Sequence, residues 1–175
     1  MRARYVVDTN VLIAASAIDA NSPIAREATP DDPDLRQKVW QWLSEFQQSE
    51  SHLVLDGQGG IEGEYGRKLG FNDFGRQVVK HKWDTCAVDQ VSVDYDENGD
   101  GILKEPLQTV VHDRADRKMV AAALDALATY GESTIAFAGD TDWHGWEPQL
   151  RAAGLCLEAI IPEWSTAKFA EKSQK

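Results

Sequence analysis

Apolar residues recur along this chain in two alternating rhythms. Short apolar runs at 5–7, 52–55, 88–93, 135–138 and 155–161 read as strands. Ile135, Ala136, Phe137 and Ala138 form a run with no polar member, as expected of a strand buried on both faces of a parallel sheet. Between the runs, apolar positions recur at three- and four-residue spacing and predict helices. These are 11–15, the stripe Leu35, Val39, Leu43 and Phe46, the stripe Ile61, Tyr65 and Leu69, the segment 71–83 with Phe74 and Val78 facing in, 113–130, and 146–153. Trp40 and Trp42 flank the second stripe, with Trp42 partly exposed. Asp32-Pro33 is a helix start, with Asp capping and Pro at the first helical position. Gly70 and Gly154 are stops. Positions 21–34 read as a loop, 94–106 as a polar insertion, and the chain after Phe169 as a polar, frayed end. Strands alternating with helices predict an α/β chain, a three-layer α/β/α fold around a central parallel sheet of about five strands. One domain over 1–165 is expected, followed by a polar tail at 166–175.

Composition narrows the function classes. The chain has 175 residues, 42% of them apolar, enough for one domain with a buried core. A formal charge of −11 excludes a protein that coats nucleic acid through bulk positive charge. The densest basic patch is Arg76, Lys80, His81 and Lys82. No run approaches the length of about 18 apolar residues that a membrane span needs. The first apolar run is broken by Asp8 and Asn10, so no signal peptide is read and a cytoplasmic location is expected. Cys86 and Cys156 are too far apart for a metal-type spacing and read as buried free thiols.

The chemistry is concentrated in carboxylates at apolar boundaries. Asp8 stands between the first strand and the first helix; Asp140 and Asp142 follow the strand at 135–138. The carboxyl ends of strands are where ligands bind in open α/β sheets. At about 100° per residue, Glu64 falls about 60° from the Ile61 stripe, whereas Glu62 falls further round. Asp116 opens the apolar stripe of the 113–130 helix. Each acid has an ordinary explanation as a helix cap or a first-turn charge. Taken together, clustered carboxylates repel and raise one another's pKa unless a cation joins them. Oxygen-only donors without His or Cys point to Mg²⁺ or Mn²⁺.

A second candidate lies in the insertion. Asp96, Asn98, Asp100, Gly101 and Leu103 match the start of a calcium-binding EF-hand loop. The position of its bidentate Glu is held by Leu107, and Pro106 hampers an exiting helix. The other reading is an Asx/Gly-rich surface turn.

The pieces Tyr-Val-Val-Asp-Thr-Asn-Val-Leu-Ile at 5–13, Ile-Glu-Gly-Glu-Tyr at 61–65, Asp-Arg-Ala-Asp-Arg-Lys-Met-Val-Ala-Ala-Ala-Leu at 113–124 and Gly-Asp-Thr-Asp-Trp at 139–143 resemble, in order and spacing, the PIN-domain family of metal-dependent ribonucleases. The C-terminal pieces at 150–155 and 160–164 resemble it as well. The resemblance implies that Asp8, Glu64, Asp116 and Asp140 are catalytic, metal-holding acids. It makes Asp142 an auxiliary ligand or a group supporting the ligands from behind, Asn10 the group orienting Asp8, and Thr141 a neighbour behind the ligands. It implies Mg²⁺ or Mn²⁺ as cofactor and single-stranded RNA as substrate, cut to leave a 5′-phosphate. It extends to a toxin with an antitoxin partner and to a homodimer. Arg67, Arg114, Arg117 and Lys118 are candidates for holding flanking phosphates, or are ordinary solvated helix charges. Two departures stand out: Ala138 replaces the Ser or Thr the family often places two residues before the fourth acid, and the 94–106 insertion lengthens the chain.

Two rivals use the same residues. A haloacid-dehalogenase-like phosphatase also begins with an Asp after the first strand and a later Gly-Asp pair, but needs a second Asp two residues on, where Asn10 stands. A non-catalytic PIN-fold module would bind RNA or a protein partner without cutting.

Overall fold

The computed structural model describes residues 1–19 and 21–174. The chain forms β1 (Arg4–Val7), α1 (Thr9–Ser16), a 3-10 turn (Pro23–Arg26), α2 (Pro33–Gln48), β2 (His52–Asp56), α3 (Gly60–Lys68) and α4 (Phe74–Asp84). It continues with β3 (Val88–Val91), α5 (Leu107–Val110), α6 (Arg114–Tyr130), β4 (Thr134–Phe137), α7 (Asp142–Ala152), β5 (Cys156–Ala159) and α8 (Pro162–Ser173). The five strands form one all-parallel sheet in the order β3-β2-β1-β4-β5. This is the three-layer α/β/α fold that the alternation predicts.

Crossover handedness explains the layers. β1 to β2 to β3 steps toward one edge, and right-handed connections place α1 to α4 on one face. The chain then returns past β1 to β4 and β5, which places α5, α6 and α7 on the other. In keeping with this, α1, α2 and α4 pack on one another, while α6 lies across β1, β2, β3 and β4. The direction reverses between β1 and β4, so the crevice outside their carboxyl ends is the topological switch point of the sheet.

The core follows the apolar stripes. Val39, Leu43 and Phe46 of α2, Ile61 and Tyr65 of α3, and Met119, Val120, Ala123 and Ala126 of α6 are buried. Asp32 caps α2 by accepting from the amides of Asp34 and Leu35, with Pro33 in the first turn as expected. Trp42 is half-buried, stacked on Phe46 and donating to Glu158. Arg36 is buried and gathers the carbonyls of Ala17, Ala25, Ala28 and Pro30 by donating to each.

α1 and α4 cross at Gly75. A β-carbon there would lie 2.7 Å from Leu12 Cβ and 2.8 Å from the Leu12 carbonyl oxygen. The Gly75 amide also donates to Ser16 Oγ, at 2.9 Å. Gly75→Ala is therefore expected to force the two helices apart and destabilise the fold by about 2 kcal/mol, the usual scale of overpacking. A urea midpoint equal to wild type would contradict this.

The structure corrects several expectations. The tail is not frayed after Phe169: α8 runs to Ser173, and only Lys175 of the 166–175 segment lies outside the described residues. Lys82 is not part of a surface patch. It is buried and donates to the carbonyls of Ser49 (2.9 Å) and Ser51 (2.8 Å), over the Phe46 ring. Cys86 is exposed in a turn with φ of 56°, and Cys156 is half-buried, so neither is a buried thiol. Among the described residues, no helix is long and apolar enough to cross a membrane.

The 94–106 insertion is more than a surface turn. Asp96 folds its own loop, accepting from the amides of Asn98 and Asp100, and Tyr95 pairs antiparallel with Gly101. Asp100 pairs with Arg114 at 3.6 Å. The ends of the insertion are buried through Val93, Leu103 and Leu107. Gly101 packs against the backbone of Arg117 and Lys118 in α6, and the Tyr95 hydroxyl packs against Gly60 at the start of α3. The insertion thus touches both helices that carry site residues.

Candidate active site

Asp8 ends β1 and begins α1. Its amide continues the β1–β4 ladder to the Ala136 carbonyl, and its side chain turns back over the helix start. Asp8 Oδ1 accepts from the Asn10 amide at 3.0 Å, and Oδ2 accepts from Trp143 Nε1 at 2.9 Å. The ordinary reading of Asp8 as a helix cap is therefore met. Capping does not account for its depth: the residue is 1% exposed, whereas cap carboxylates normally stay hydrated. Burial first, and then the charge of Asp140, push its carboxyl up to about 7, against the lowering effect of the two N–H donors.

Asp116 lies in the first turn of α6, after Asp113, which caps the helix by accepting from the Ala115 amide. Asp116 is buried, and no described residue donates a hydrogen bond to its carboxylate. Burial, followed by the charges of Asp8 and Asp140, raises it to about 9. Asp140 follows β4 across Ala138 and Gly139, accepts from the Asp142 amide, and is also raised, chiefly by burial.

Glu64 reaches the same place from α3. Its two oxygens meet the Thr9 hydroxyl and Lys118 Nζ, the latter at 2.5 Å. Tyr65 beside it donates to the Val7 carbonyl, tying α3 to the end of β1. Asp8, Glu64, Asp116 and Asp140 thus come together at the switch point, each close enough to perturb at least one of the others.

The remaining predicted residues separate. Asn10 orients Asp8 through its backbone amide rather than its side chain. Asp142 points to Lys172, which pairs with it from α8, and Thr141 caps α7 without a side-chain hydrogen bond. Arg67 is exposed. Arg114 pairs with Asp100, and Arg117 donates to the carbonyls of Val111 and Gln108. Lys118 does not face solvent: its side chain is 8% exposed and is paired with Glu64.

Thr9, Trp143 and the inward Lys118 were not assigned these contacts from sequence. Thr9 and Trp143 each directly follow a candidate acid or its partner, Asp8 and Asp142, and adjacency is the signal that could have found them. A cleft of about 590 Å³ also opens beside Asp140, lined by Gly139, Thr141, Arg26, Trp164, Lys168 and Lys172.

The donor set fits a hard divalent cation in kind, being three Asp and one Glu with no softer ligand. The Asp116 carboxyl, buried without a donor, is the group such an ion would satisfy first; both oxygens of Asp8 already accept an N–H. The side chains as they stand are not drawn into a chelate: among the described residues no group of three or more His, Cys, Asp or Glu is arranged to hold a metal. Lys118 pairs with Glu64, and Lys172 lies close enough to favour the charged form of Asp140.

A different cluster has the residue types of a nucleophilic triad. His144 Nε2 is 2.9 Å from Ser165 Oγ, and Nδ1 is 3.8 Å from Glu147. Ser165 is 0% exposed, so no substrate reaches its hydroxyl. An apolar groove of about 560 Å³ between α6, α7 and the insertion includes none of the clustered acids. Comparison with known proteins returns no match: no family model, no curated protein and no solved structure matches the chain significantly.

Proposed function

We propose that the chain is a PIN-type, divalent-metal-dependent endoribonuclease that hydrolyses phosphodiester bonds in single-stranded RNA. The observation that carries this reading is the meeting of Asp8, Glu64, Asp116 and Asp140 at the switch point, with Asp8 and Asp116 buried and held far above the ordinary carboxylate range. Asp8, Glu64, Asp116 and Asp140 are the residues that would hold Mg²⁺ or Mn²⁺. Bound there, the ion would supply a water of lowered pKa and neutralise charge growing on the phosphate.

The chain's own groups do the positioning. The Trp143 indole and the Asn10 amide fix the Asp8 carboxylate, and the Thr9 hydroxyl fixes one oxygen of Glu64. The adjoining cleft carries Arg26, Lys168 and Lys172 together with Glu27, Asp31 and Glu171, the two lysines being paired with Glu171 and Asp142, and Trp164 also lines it.

The phosphatase reading is weaker on geometry. It lacks its acid/base: the position two residues after Asp8 is Asn10, which serves Asp8 only through its backbone amide. A non-catalytic module would gain nothing from buried, mutually repelling acids.

The test is incubation with single-stranded RNA in Mn²⁺, Mg²⁺ or EDTA, alongside p-nitrophenyl phosphate. RNA cleavage to 5′-phosphate ends in Mn²⁺, lost in EDTA, is expected, with no release of p-nitrophenol. Hydrolysis of the small ester with intact RNA would transfer the assignment to the phosphatase. Inertness toward both would overturn it.

A further inference from the structure

Lys118 lies where a lysine is not expected. Its side chain is 8% exposed, its Nζ is 2.5 Å from Glu64 Oε2, and it donates to the Ala115 carbonyl at 2.6 Å. Ala115 precedes Asp116, so the ammonium is folded back over the first turn of α6, on the Glu64 side of the acid cluster. The packing of Gly101 on the Lys118 backbone fixes the turn from which the side chain departs. Nothing comparable pairs with Asp8 or Asp116: of the clustered acids, Glu64 is the one with a cationic partner among the described residues.

A lysine ammonium is a compact point charge on a flexible four-carbon stem. It can neutralise a carboxylate and leave it again without moving the helix. We propose that Lys118 is an internal counter-ion that holds the metal's place at Glu64, and that loading a divalent cation displaces the Lys118 side chain from the cluster toward solvent. The proposal rests on the metal-site reading above. The lysine and the ion then compete for one carboxylate. The apparent affinity for metal is reduced by the fraction of time Glu64 is occupied by Lys118.

The experiment is amine footprinting of the whole chain with an acylating reagent, read by mass spectrometry with and without Mn²⁺. Exposed Lys38 and Lys68 serve as internal standards, and buried Lys82 as a control held by carbonyls away from the site. Lys118 is expected to be protected without metal and to label at least about fivefold faster with it, while Lys82 stays protected. In parallel, calorimetric titration of Lys118→Met and Lys118→Gln is expected to show Mn²⁺ binding about tenfold tighter than wild type, as for a site about nine-tenths occupied by its own lysine. Mn²⁺ binding that Asp8→Asn abolishes, with Lys118 labelling unchanged, would overturn the displacement and leave the metal site standing. Tighter binding in the variants without faster labelling would do the same, reducing the effect to charge alone. No Mn²⁺ binding by wild type would overturn both the proposal and the reading beneath it.

Discussion

Asp8→Asn is expected to lower Mn²⁺-dependent RNA cleavage by about 10³-fold or more while the circular dichroism spectrum stays that of wild type. The substitution keeps the shape of the side chain and removes its charge. Charge stabilisation by a bound metal is worth several kcal/mol, and each 1.36 kcal/mol is a factor of ten in rate. The fold is less sensitive. Asparagine can accept from only one of the two donors, the Asn10 amide or the Trp143 indole. The lost hydrogen bond costs about 1–2 kcal/mol, and the relief of repulsion with Asp140 and Glu64 acts against it. Activity measured on single-stranded RNA, together with a thermal melt, separates the two effects. Activity within threefold of wild type would remove Asp8 from the site.

Asp116→Asn is expected to stabilise the metal-free protein, by on the order of 5 kcal/mol at pH 8, and to abolish stabilisation by Mn²⁺. The folded state holds the Asp116 proton up to about pH 9, whereas the unfolded chain releases it near the ordinary value of 3.8. Between those values the native state carries more protons, so stability falls as pH rises through the window and the penalty is complete above about 9. Asp8 adds to the slope between 3.8 and about 7. Asparagine removes the Asp116 contribution and also a favourable first-turn charge worth about 0.3–1 kcal/mol. Burial and repulsion are the larger effect, because the carboxylate is buried without a donor. Urea melts in EDTA from pH 5 to 9 check this. The wild-type midpoint is expected to fall across the range, and the mutant's to fall less and lie above it at pH 8. Parallel curves with no offset would show that the Asp116 charge is not the destabilising group.

Sequence patterns carry far where a residue's environment is set by its neighbours. The five strands and the α2 start at Asp32-Pro33 follow from local runs and caps. The helical phase that selects Glu64 over Glu62 also holds: Glu64 meets Thr9 and Lys118. The same patterns fail where the deciding partner is remote. Pro162 stops β5 but also opens α8 as its first residue, and one proline supports either reading. Lysine is solvated by default, yet Lys82 is buried because the carbonyls of Ser49 and Ser51 await it across the sheet edge, and Lys118 because Glu64 comes in from another helix. The indole of Trp143 reads as core. It is core, at 0% exposure, and its one polar atom also orients Asp8, 135 residues away along the chain.

The insertion at 94–106 acts as a spacer between the two helices that bring Glu64 and Asp116 together. Its Tyr95 bears on α3 at Gly60, its Gly101 bears on α6 at Lys118, and neither supporting position has room for a larger side chain. The distance between two candidate ligands is thereby gauged by a segment that contributes neither of them. Shortening or lengthening this stretch is expected to alter how α3 and α6 meet without touching a single acid. Because Leu103 and Gly101 are themselves packed, chimeras that graft a different connector between β3 and α5 are expected to shift the meeting of Glu64 with Asp116 and the stability of the fold together.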